Sequence, residues 1–262
     1  MSALVAAELR ATGPLPLAIA PHESLMLSVQ MGLGSDVDAK GPLGENTALT
    51  GIRQWKGAFT GAGDCITLFA MLTPLGLVHL LESRPVDKVP RIRAPMVSLL
   101  DRVATQGLES EVALAKTLEH KLQALGGWLE ARALAHRQRC TAAMRAARAA
   151  MRLCHAPQAA IETLADEQHV SRRQLERDFV RWIGTSPRHL SQVARLQAIS
   201  RRAQQGASLA DVAADLGFTD QAHMSRVVRQ LTGLTPRNFV RSGISPLAAT
   251  WRRATAGGTM YL

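Results

Sequence analysis

The sequence predicts an α+β protein, in which a domain of strands followed by helices precedes an all-α domain. Three observations support this prediction. Apolar residues alternate with a period of two from Leu25, and after Pro74 the spacing becomes that of helices. The C-terminal half contains one helical motif written twice. Basic charge is concentrated in that same half, which separates it in character from the rest of the chain.

The N-terminal part of the chain is predicted to form a small sheet. Residues 1–22 are weakly patterned, and their prolines argue against a long helix. A half-buried strand follows, because apolar side chains occupy every second position. Further strands are expected over residues 48–59 and 65–72, separated by a glycine-rich hairpin turn at Gly61-Ala62-Gly63-Asp64. The apolar positions of the first strand are Leu27, Val29, Met31 and Leu33.

Helices are predicted after this sheet. Leu75, Val78 and Leu81 lie on one face of a helix that begins after Pro74, and two more helices are expected at about 96–105 and 110–135. The last of these carries a leucine stripe, which packs into the core or forms a contact between subunits. Its members are Leu114, Leu118, Leu122, Leu125 and Leu129.

The internal repeat spans residues 164–190 and 212–239. Each copy predicts a short helix, a tight turn and a second amphipathic helix that ends at glycine, which is a helix-turn-helix. Ala165 corresponds to Ala213 at an offset of 48, and one extra residue then makes the offset 49. At that offset, Leu175, Arg177, Gly184, Ser186, Pro187 and Leu190 correspond to Met224, Arg226, Gly233, Thr235, Pro236 and Phe239.

Capping residues set the predicted helix boundaries within the repeat. Ser171 is placed to cap a helix over 172–182, and Ser186-Pro187 begins a long linker helix that extends to about Gln205. In the second unit, Ser208 caps the first helix, and Thr219 or Asp220 begins the second. Before the repeat, helices are expected at about 141–153, with Met144, Ala147 and Met151 facing inward, and at about 158–167.

Charge divides the chain into a neutral and a basic part. Residues 1–140 carry 14 Lys and Arg against 13 Asp and Glu, whereas residues 141–262 carry 17 Arg, no Lys and 8 Asp and Glu. A basic domain beside a neutral one is typical of a module that binds a polyanion, although a solvated basic surface would give the same counts. Combined with the repeat, the charge favours binding to DNA.

Several other classes of protein find no support. No apolar run approaches the length of a membrane span and no signal peptide is present, so a cytoplasmic protein without a membrane partner is expected. The three cysteines, Cys65, Cys140 and Cys154, form no CxxC pair, although the His136 and Cys140 spacing leaves a redox or metal role for Cys140 or Cys154 open. No catalytic motif is found, so we expect no enzyme, no catalytic residues, no metal site and no cofactor.

The repeat resembles a known family. Its later part follows the pattern VAxxLGFxDQxHxSRxxRxxxGxTPxxF, and about 100 residues are similar to the DNA-binding domain of the AraC/XylS family of transcriptional regulators. Met224 and Val228 stand where the family usually has Phe, and Leu190 stands where it usually has Tyr. These replacements are apolar, so the fold is expected to be kept with looser packing. The N-terminal part is similar, more distantly, to the sensor-like domains that precede such modules.

The resemblance implies that the second helix of each unit enters the major groove of promoter DNA, in successive grooves. Arginine can donate two hydrogen bonds to guanine, glutamate can accept one from cytosine, and glutamine can pair with adenine. Glu176 could instead pair with Arg172 or Arg173 on the helix surface. Arg188, Arg195 and Arg237 are expected to contact phosphates or to stabilise the fold. The predicted DNA-binding residues are Arg172, Arg173, Glu176 and Arg177 in the first unit, and Gln221, Ala222, His223, Ser225 and Arg226 in the second.

The predicted organisation is therefore a sensor or assembly domain over residues 1–135, a double helix-turn-helix domain over 141–242 and a tail over 243–262. The expected function is sequence-specific regulation of transcription, with RNA polymerase, a small-molecule effector and a second copy of the chain as candidate partners. The residues leave both activation and repression open. A non-specific architectural DNA-binding protein is the alternative. A DNA-repair regulator with a metal-bound cysteine is disfavoured, because the cysteine cluster is missing.

Overall fold

The computed structural model describes residues 3–19, 22–32, 47–52, 57–82, 84–86, 94–95, 99–100, 102–135 and 141–241. Strands precede helices, as the α+β prediction requires, and the prediction is confirmed. His136, Cys140 and the tail over 243–262 lie outside the described residues. Among the described residues, no helix is both long and apolar enough to cross a bilayer.

An antiparallel sheet of five strands in the order β1-β4-β2-β3-β5 forms the N-terminal part. Its longest pairing joins β1 to β4, with Ala3 opposite Met71 and Ile19 opposite Gly57. The strands are β1 (Ala3–Ile19), β2 (Leu25–Gly32), β3 (Thr47–Thr50), β4 (Gly57–Leu72) and β5 (Ala94–Pro95).

Two sequence-based predictions for this sheet are wrong. The hairpin turn predicted at Gly61–Asp64 lies inside β4, which continues through it, and the strand predicted over 48–59 is interrupted, because β3 ends at Thr50. Residues 3–19, for which the sequence argued only against a long helix, form β1. Strand β1 lies at the edge of the sheet, and its register with β4 shifts between Ala11 and Leu15. This irregularity accommodates Pro14 in β1 and lies opposite the glycines of β4.

The strand predicted from Leu25 is confirmed, but it is buried on both faces. Leu27 and Val29 are buried as expected, Met31 is half-buried, and Leu33 lies outside the described residues. Met26 and Ser28, which alternate with them, are buried as well. Strand β2 pairs with β4 on one edge and β3 on the other, and the Ser28 hydroxyl donates to the Ala48 carbonyl oxygen at 3.4 Å. A polar residue at every second position therefore did not mark a solvent-facing side.

Within the described residues, three helices follow the sheet: α1 (Pro74–Leu80), α2 (Arg102–Leu114) and α3 (Leu118–Ala135). The helix predicted over 110–135 is interrupted at residues 115–117, and this break divides the leucine stripe. Leu122, Leu125 and Leu129 are buried in the core, whereas Leu114 is 81% exposed at the end of α2. Most of the stripe is therefore core, because the break places Leu114 outside it.

Seven helices form the C-terminal part over residues 141–241, and most begin at a side-chain cap. Ser171, Ser186, Ser208 and Asp220 each accept a hydrogen bond from the backbone N–H three residues later, as the sequence predicts. The helices are α4 (Thr141–His155), α5 (Ile161–Glu167), α6 (Arg172–Ile183), α7 (Pro187–Gln204), α8 (Leu209–Asp215), α9 (Gln221–Thr232) and α10 (Pro236–Arg241).

The N-terminal part and the first helix-turn-helix unit share one hydrophobic core. That core runs from Leu27 in the sheet through α1 and α3 to Phe179 in α6 and Val193 in α7. Helix α4 contributes a face of small residues, because five alanines and Leu153 are buried, whereas Met144 and Met151, predicted to face inward, are only half-buried. The predicted domain division near residues 135–141 remains a prediction, and the core is continuous across it.

Candidate nucleic-acid interface

The two helix-turn-helix units have the same backbone plan. In the first, α5 is joined to α6 by a turn in which His169 has a positive φ of 54°, and in the second Gly217 at the corresponding position has a φ of 69°. Each second helix then ends at a left-handed glycine, Gly184 or Gly233. The internal repeat is therefore a repeat of structure, down to the residue at which each turn reverses.

Helix α6 presents basic side chains to solvent on the face opposite its core. Arg172, Arg173 and Arg177 are all exposed, while Leu175 and Phe179 are buried on the other side. Arg172 lies between two carboxylates, with its guanidinium 2.9 Å from Glu176 and 2.5 Å from Glu162. The structure thus forms the surface pair that the sequence analysis offered as the alternative role of Glu176.

Arg173 and Arg177 are the less constrained cations of this face. The Arg177 guanidinium donates to the Gln174 side chain, and no hydrogen bond or ion pair joins Arg173 to any of the described residues. The pKa of Arg172 is raised by its hydrogen bonds to Glu176 and Glu162. Arg173 is therefore the first-unit arginine that is most available to a ligand.

Helix α9 presents a face with fewer charges. Gln221, Ala222 and Arg226 are exposed, and no described residue pairs with the Arg226 guanidinium. His223 and Ser225 are half-buried: the Ser225 hydroxyl donates to the Gln221 carbonyl at 2.8 Å, and the His223 ring meets the Phe218 ring edge-on at 5.5 Å. All nine predicted DNA-binding residues thus lie on α6 or α9, and their contacts with DNA remain a prediction.

A buried ion pair supports α6 from behind, and the sequence analysis missed it. Asp178 is 4% exposed, and its Oδ2 accepts from Arg145 of α4 at 2.6 and 2.8 Å, while its Oδ1 accepts from Gln174 at 2.8 Å. The corresponding residue of the second unit is Val227, which is buried and apolar. A carboxylate where the other copy has valine was the available signal, because an acidic residue on a core face needs a partner.

Arg195 of α7 stabilises the fold, which is one of the two roles that the sequence allowed. Its Nε lies 3.3 Å from the Pro157 carbonyl oxygen, and its guanidinium carbon lies 5.4 Å from the centroid of the Phe218 ring. Burial lowers the pKa of this guanidinium. Arg188 and Arg237, which were considered with it, are exposed.

The N-terminal part of the chain contacts the first unit directly. The Val86 N–H donates to the Arg181 carbonyl at the end of α6 at 2.7 Å, and the Val86 side chain lies against Gly184. Farther along, Arg201 of α7 forms an ion pair with Glu23 at 3.1 Å. Cys154 lies near this pair, and burial, with a smaller contribution from Glu23, raises the pKa of its thiol to about 12. Within the part of the chain that is described, His, Cys, Asp and Glu form no group that could hold a metal ion.

Comparison with known proteins agrees with this architecture. Residues 164–242, which contain both units, match the family model described as a helix-turn-helix domain. The chain carries an AraC-type helix-turn-helix domain. No curated protein matches the chain.

Solved structures of ToxT from Vibrio cholerae are similar in overall arrangement. ToxT from strain O395 is 10% identical with a TM-score of 0.46, covering 90% of this chain and 96% of that one. ToxT in its P21 form is 10% identical with a TM-score of 0.48, covering 90% and 97%. Wild-type ToxT bound to an unsaturated fatty acid is 8% identical with a TM-score of 0.47, covering 93% and 96%.

Proposed function

We propose that this protein binds promoter DNA sequence-specifically, with α6 and α9 in successive major grooves on one face of the duplex. The observation that carries the proposal is the structural repeat: two units with matching turns and caps are joined by one helix. Helix α7 has 18 residues, which corresponds to about 27 Å at 1.5 Å per residue. That length is comparable with the roughly 34 Å between successive major grooves on one face.

The exposed side chains divide between specifying and positioning roles. In the first unit, Arg173 and Arg177 could donate to guanine, and Glu176 could accept from cytosine once Arg172 turns to a phosphate. In the second unit, Gln221 suits adenine and Ala222 suits the methyl group of thymine. His223, Ser225 and Arg226 complete that face. Arg188 and Arg237 are exposed cations suited to phosphates.

The N-terminal domain is proposed to sense a small molecule or to hold two copies of the chain together. It is near neutral in charge, and it contacts the first unit at Val86 and the linker helix at Glu23. A change in its packing would therefore act on α6 and α7 through direct contacts. Regulation would follow from the altered presentation of the recognition helices to the promoter and to RNA polymerase.

The full-length protein should be tested on duplexes that it selects from a randomised library. We expect it to enrich one sequence and to bind it with a steep salt dependence, because arginine–phosphate contacts release counterions. Enrichment of no sequence, with equal binding to every duplex, would contradict specific recognition and indicate an architectural DNA-binding protein.

Two variants of α9 separate base contacts from phosphate contacts. Gln221→Ala is expected to weaken binding to the selected site by about 1–3 kcal/mol and to relax specificity at one base pair. Arg226→Ala, as a phosphate contact, is expected to weaken binding to all duplexes and to reduce the salt slope by about one unit. Circular dichroism and melting establish first that both variants are folded. Equal, sequence-independent losses would mean that α9 positions the protein without specifying bases.

A further inference from the structure

The second helix-turn-helix unit contacts the loop that leads into the first unit, and Arg195 lies at this contact. This residue lies on α7, and its guanidinium donates to the Pro157 carbonyl, which belongs to the loop after α4 in the first half of the domain. Its other contact is the Phe218 ring, which follows the turn of the second unit. One side chain of the linker helix therefore contacts both the loop that leads into the first unit and the turn of the second unit.

Neighbouring residues reinforce this contact. The Pro157 carbonyl accepts a second hydrogen bond, from the Ser191 hydroxyl at 2.6 Å. Gln158 lies against the turn of the second unit, since a Cβ atom added to Gly217 would be 3.4 Å from the Gln158 Cβ. The loop after α4 and the turn before α9 thus lie next to each other, with Arg195 between Pro157 and Phe218.

The contact continues from Phe218 to the second recognition helix. The Phe218 ring packs edge-on against His223, a half-buried residue in the first turn of α9. A shift of Phe218 would therefore move the start of α9, the end that enters the groove in this class of domain. The path from Pro157 to α9 consists of direct contacts only.

Arginine has the chemistry that this position requires. Its guanidinium is planar, so it can donate within its plane to a carbonyl while it stacks its face on an aromatic ring, which lysine cannot do. Arg195 is half-buried, and no carboxylate among the described residues pairs with it. Its contacts with the Pro157 carbonyl and the Phe218 ring, rather than with an acid, are therefore what holds it in place.

We propose that Arg195 is a positioning residue that sets the spacing between the two recognition helices, and so determines which separation of half-sites the protein accepts. This proposal rests on the proposed function, in which α6 and α9 occupy successive grooves. Each inserted base pair would move one half-site by about 3.4 Å and rotate it by about 35°. A rigid pair of helices rejects such a displacement, whereas a pair joined only by α7 can follow part of it.

The test measures binding of the full-length protein to a series of duplexes. The duplex selected by the wild-type protein is rebuilt with one or two base pairs inserted or removed between its half-sites. For the wild-type protein, we expect each change of one base pair to weaken binding about 50-fold, within the range of a mismatched contact. For Arg195→Lys and Arg195→Met, we expect that penalty to fall to about fivefold, with weaker binding at the original spacing.

Two further variants keep the test decisive. Phe218→Leu removes the ring on which Arg195 stacks, so it should flatten the spacing profile in the same way and add little to Arg195→Met. Arg188→Met removes an exposed arginine from the same helix and is the matched control, whose profile should keep its shape whatever happens to the affinity. Circular dichroism and melting show whether each variant is folded. If Arg195→Met does not fold, Phe218→Leu is the variant that tests the proposal.

The outcomes separate the two proposals. If the wild-type protein shows no spacing preference, binding in successive grooves is wrong. If the wild-type protein does show a preference and the folded Arg195 and Phe218 variants keep its full steepness, the spacing role of Arg195 is overturned while the proposed function stands. Flattened spacing profiles for the Arg195 and Phe218 variants, with an unchanged profile for Arg188→Met, support the spacing role of Arg195.

Discussion

The two helix-turn-helix units share a backbone plan but differ in what surrounds them. The first unit packs into the core of the N-terminal part, which extends unbroken from the sheet to the first half of α7. The second unit has a core of its own, formed by the second half of α7 with α8, α9 and α10. One unit is therefore embedded in the rest of the protein, and the other is attached through α7 and the contacts around Arg195.

The buried faces of the two recognition helices also differ, since α6 buries an ion pair and α9 buries an apolar side chain at the corresponding position. Asp178 of α6 is bound by Arg145 and Gln174, whereas the corresponding Val227 of α9 packs as an apolar side chain. An ion pair has stricter geometric requirements than an apolar contact, because both charges have lost their water. Helix α6 is thus held in one orientation on α4, and α9 depends on the shape of a small core.

This difference indicates how a signal from the N-terminal domain would reach DNA. The first unit would respond through Val86 and the shared core, while the second would respond through α7, with its Glu23–Arg201 ion pair, and through the contacts around Arg195. A change in the N-terminal domain would then alter the relation between the two units rather than the structure of either.

The largest expected effect is that of breaking the buried ion pair. Asp178→Ala leaves Arg145 without its partner in a largely buried site, and we expect the free energy of unfolding to fall by about 3–5 kcal/mol. The comparison is Val227→Ala in the second unit, where loss of two methyl groups should cost about 2 kcal/mol or less. Chemical denaturation followed by circular dichroism measures both changes.

A double variant tests the reason for this loss. Arg145→Met combined with Asp178→Val replaces the ion pair of the first unit with apolar side chains, as at Val227 of the second unit. The free energy of unfolding of this double variant should be within about 1 kcal/mol of the wild-type value. If the double variant is as unstable as Asp178→Ala, the two units do not share interchangeable packing. If Asp178→Ala costs no more than Val227→Ala, the ion pair is not what holds α6 on α4.

Local chemistry explains which parts of this structure could be predicted. The caps at Ser171, Ser186, Ser208 and Asp220 were predictable because each depends on a side chain and a backbone group three residues away. The left-handed glycines and the repeat were predictable for the same reason. The helices α6 and α9 that carry the nine proposed DNA-binding residues were predictable because amphipathic spacing determines which side of a helix is exposed. Six of these residues are exposed, whereas Glu176, His223 and Ser225 are half-buried.

Features that depend on distant parts of the chain were not predictable. The glycines of β4 indicated a turn, because nothing nearby showed that β1 pairs with this segment and accommodates the irregularity in its own register. The sequence of α4 did not indicate that its alanines, rather than its methionines, form the buried face, yet α4 packs against α1 and α6. The docking of the first unit on the N-terminal part rests on contacts such as Val86 with Gly184, which sequence spacing does not encode.

The next effect tests that docking contact. Gly184→Ala forces alanine to adopt a φ of +78° and places its Cβ 3.3 Å from Val86 Cγ2. The left-handed backbone alone should cost about 1–2 kcal/mol, and the crowding should add about 1 kcal/mol. Gly206→Ala is the matched control, since Gly206 has a φ of +91° with no atom within 4 Å of the added Cβ.

Val86→Ala should remove the difference between these two glycine variants. In that background the space beside residue 184 is open, so Gly184→Ala and Gly206→Ala should destabilise the protein equally, as a double-mutant cycle of thermal unfolding would show. An excess cost for Gly184→Ala that survives Val86→Ala would mean that the N-terminal part is not seated against the end of α6.

A smaller effect is expected at the ion pair between Glu23 and Arg201. The Glu23 side chain is 13% exposed and that of Arg201 46%, so the two partners are not equivalent. Arg201→Met leaves a largely buried carboxylate with only the His22 ring, 4.0 Å away, beside it, and should cost about 1–3 kcal/mol. Glu23→Gln removes the charge and should cost less than about 1 kcal/mol. Equal costs in denaturation experiments would indicate that the pair is a surface contact without a role in holding α7 to the N-terminal part.

The smallest perturbation uses Cys154 as a reporter of the same interface. Its thiol has a pKa of about 12 because it is buried beside Glu23, so at pH 8 only about one molecule in ten thousand carries the reactive thiolate. In a protein with Cys65→Ser and Cys140→Ser, alkylation by iodoacetamide should therefore be about a thousand times slower than for an exposed cysteine. The logarithm of the rate should still rise by one per pH unit beyond pH 9, where the rate for an exposed thiol levels off.

Arg201→Met should accelerate the alkylation of Cys154 if the ion pair keeps this interface closed. Arg202→Met is the control and should not accelerate it, because Arg202 pairs with Asp215 within the second half of the domain. A rate that levels off near pH 9 in the parent protein would show that Cys154 is exposed, and that the first unit is not packed against the N-terminal domain at this point.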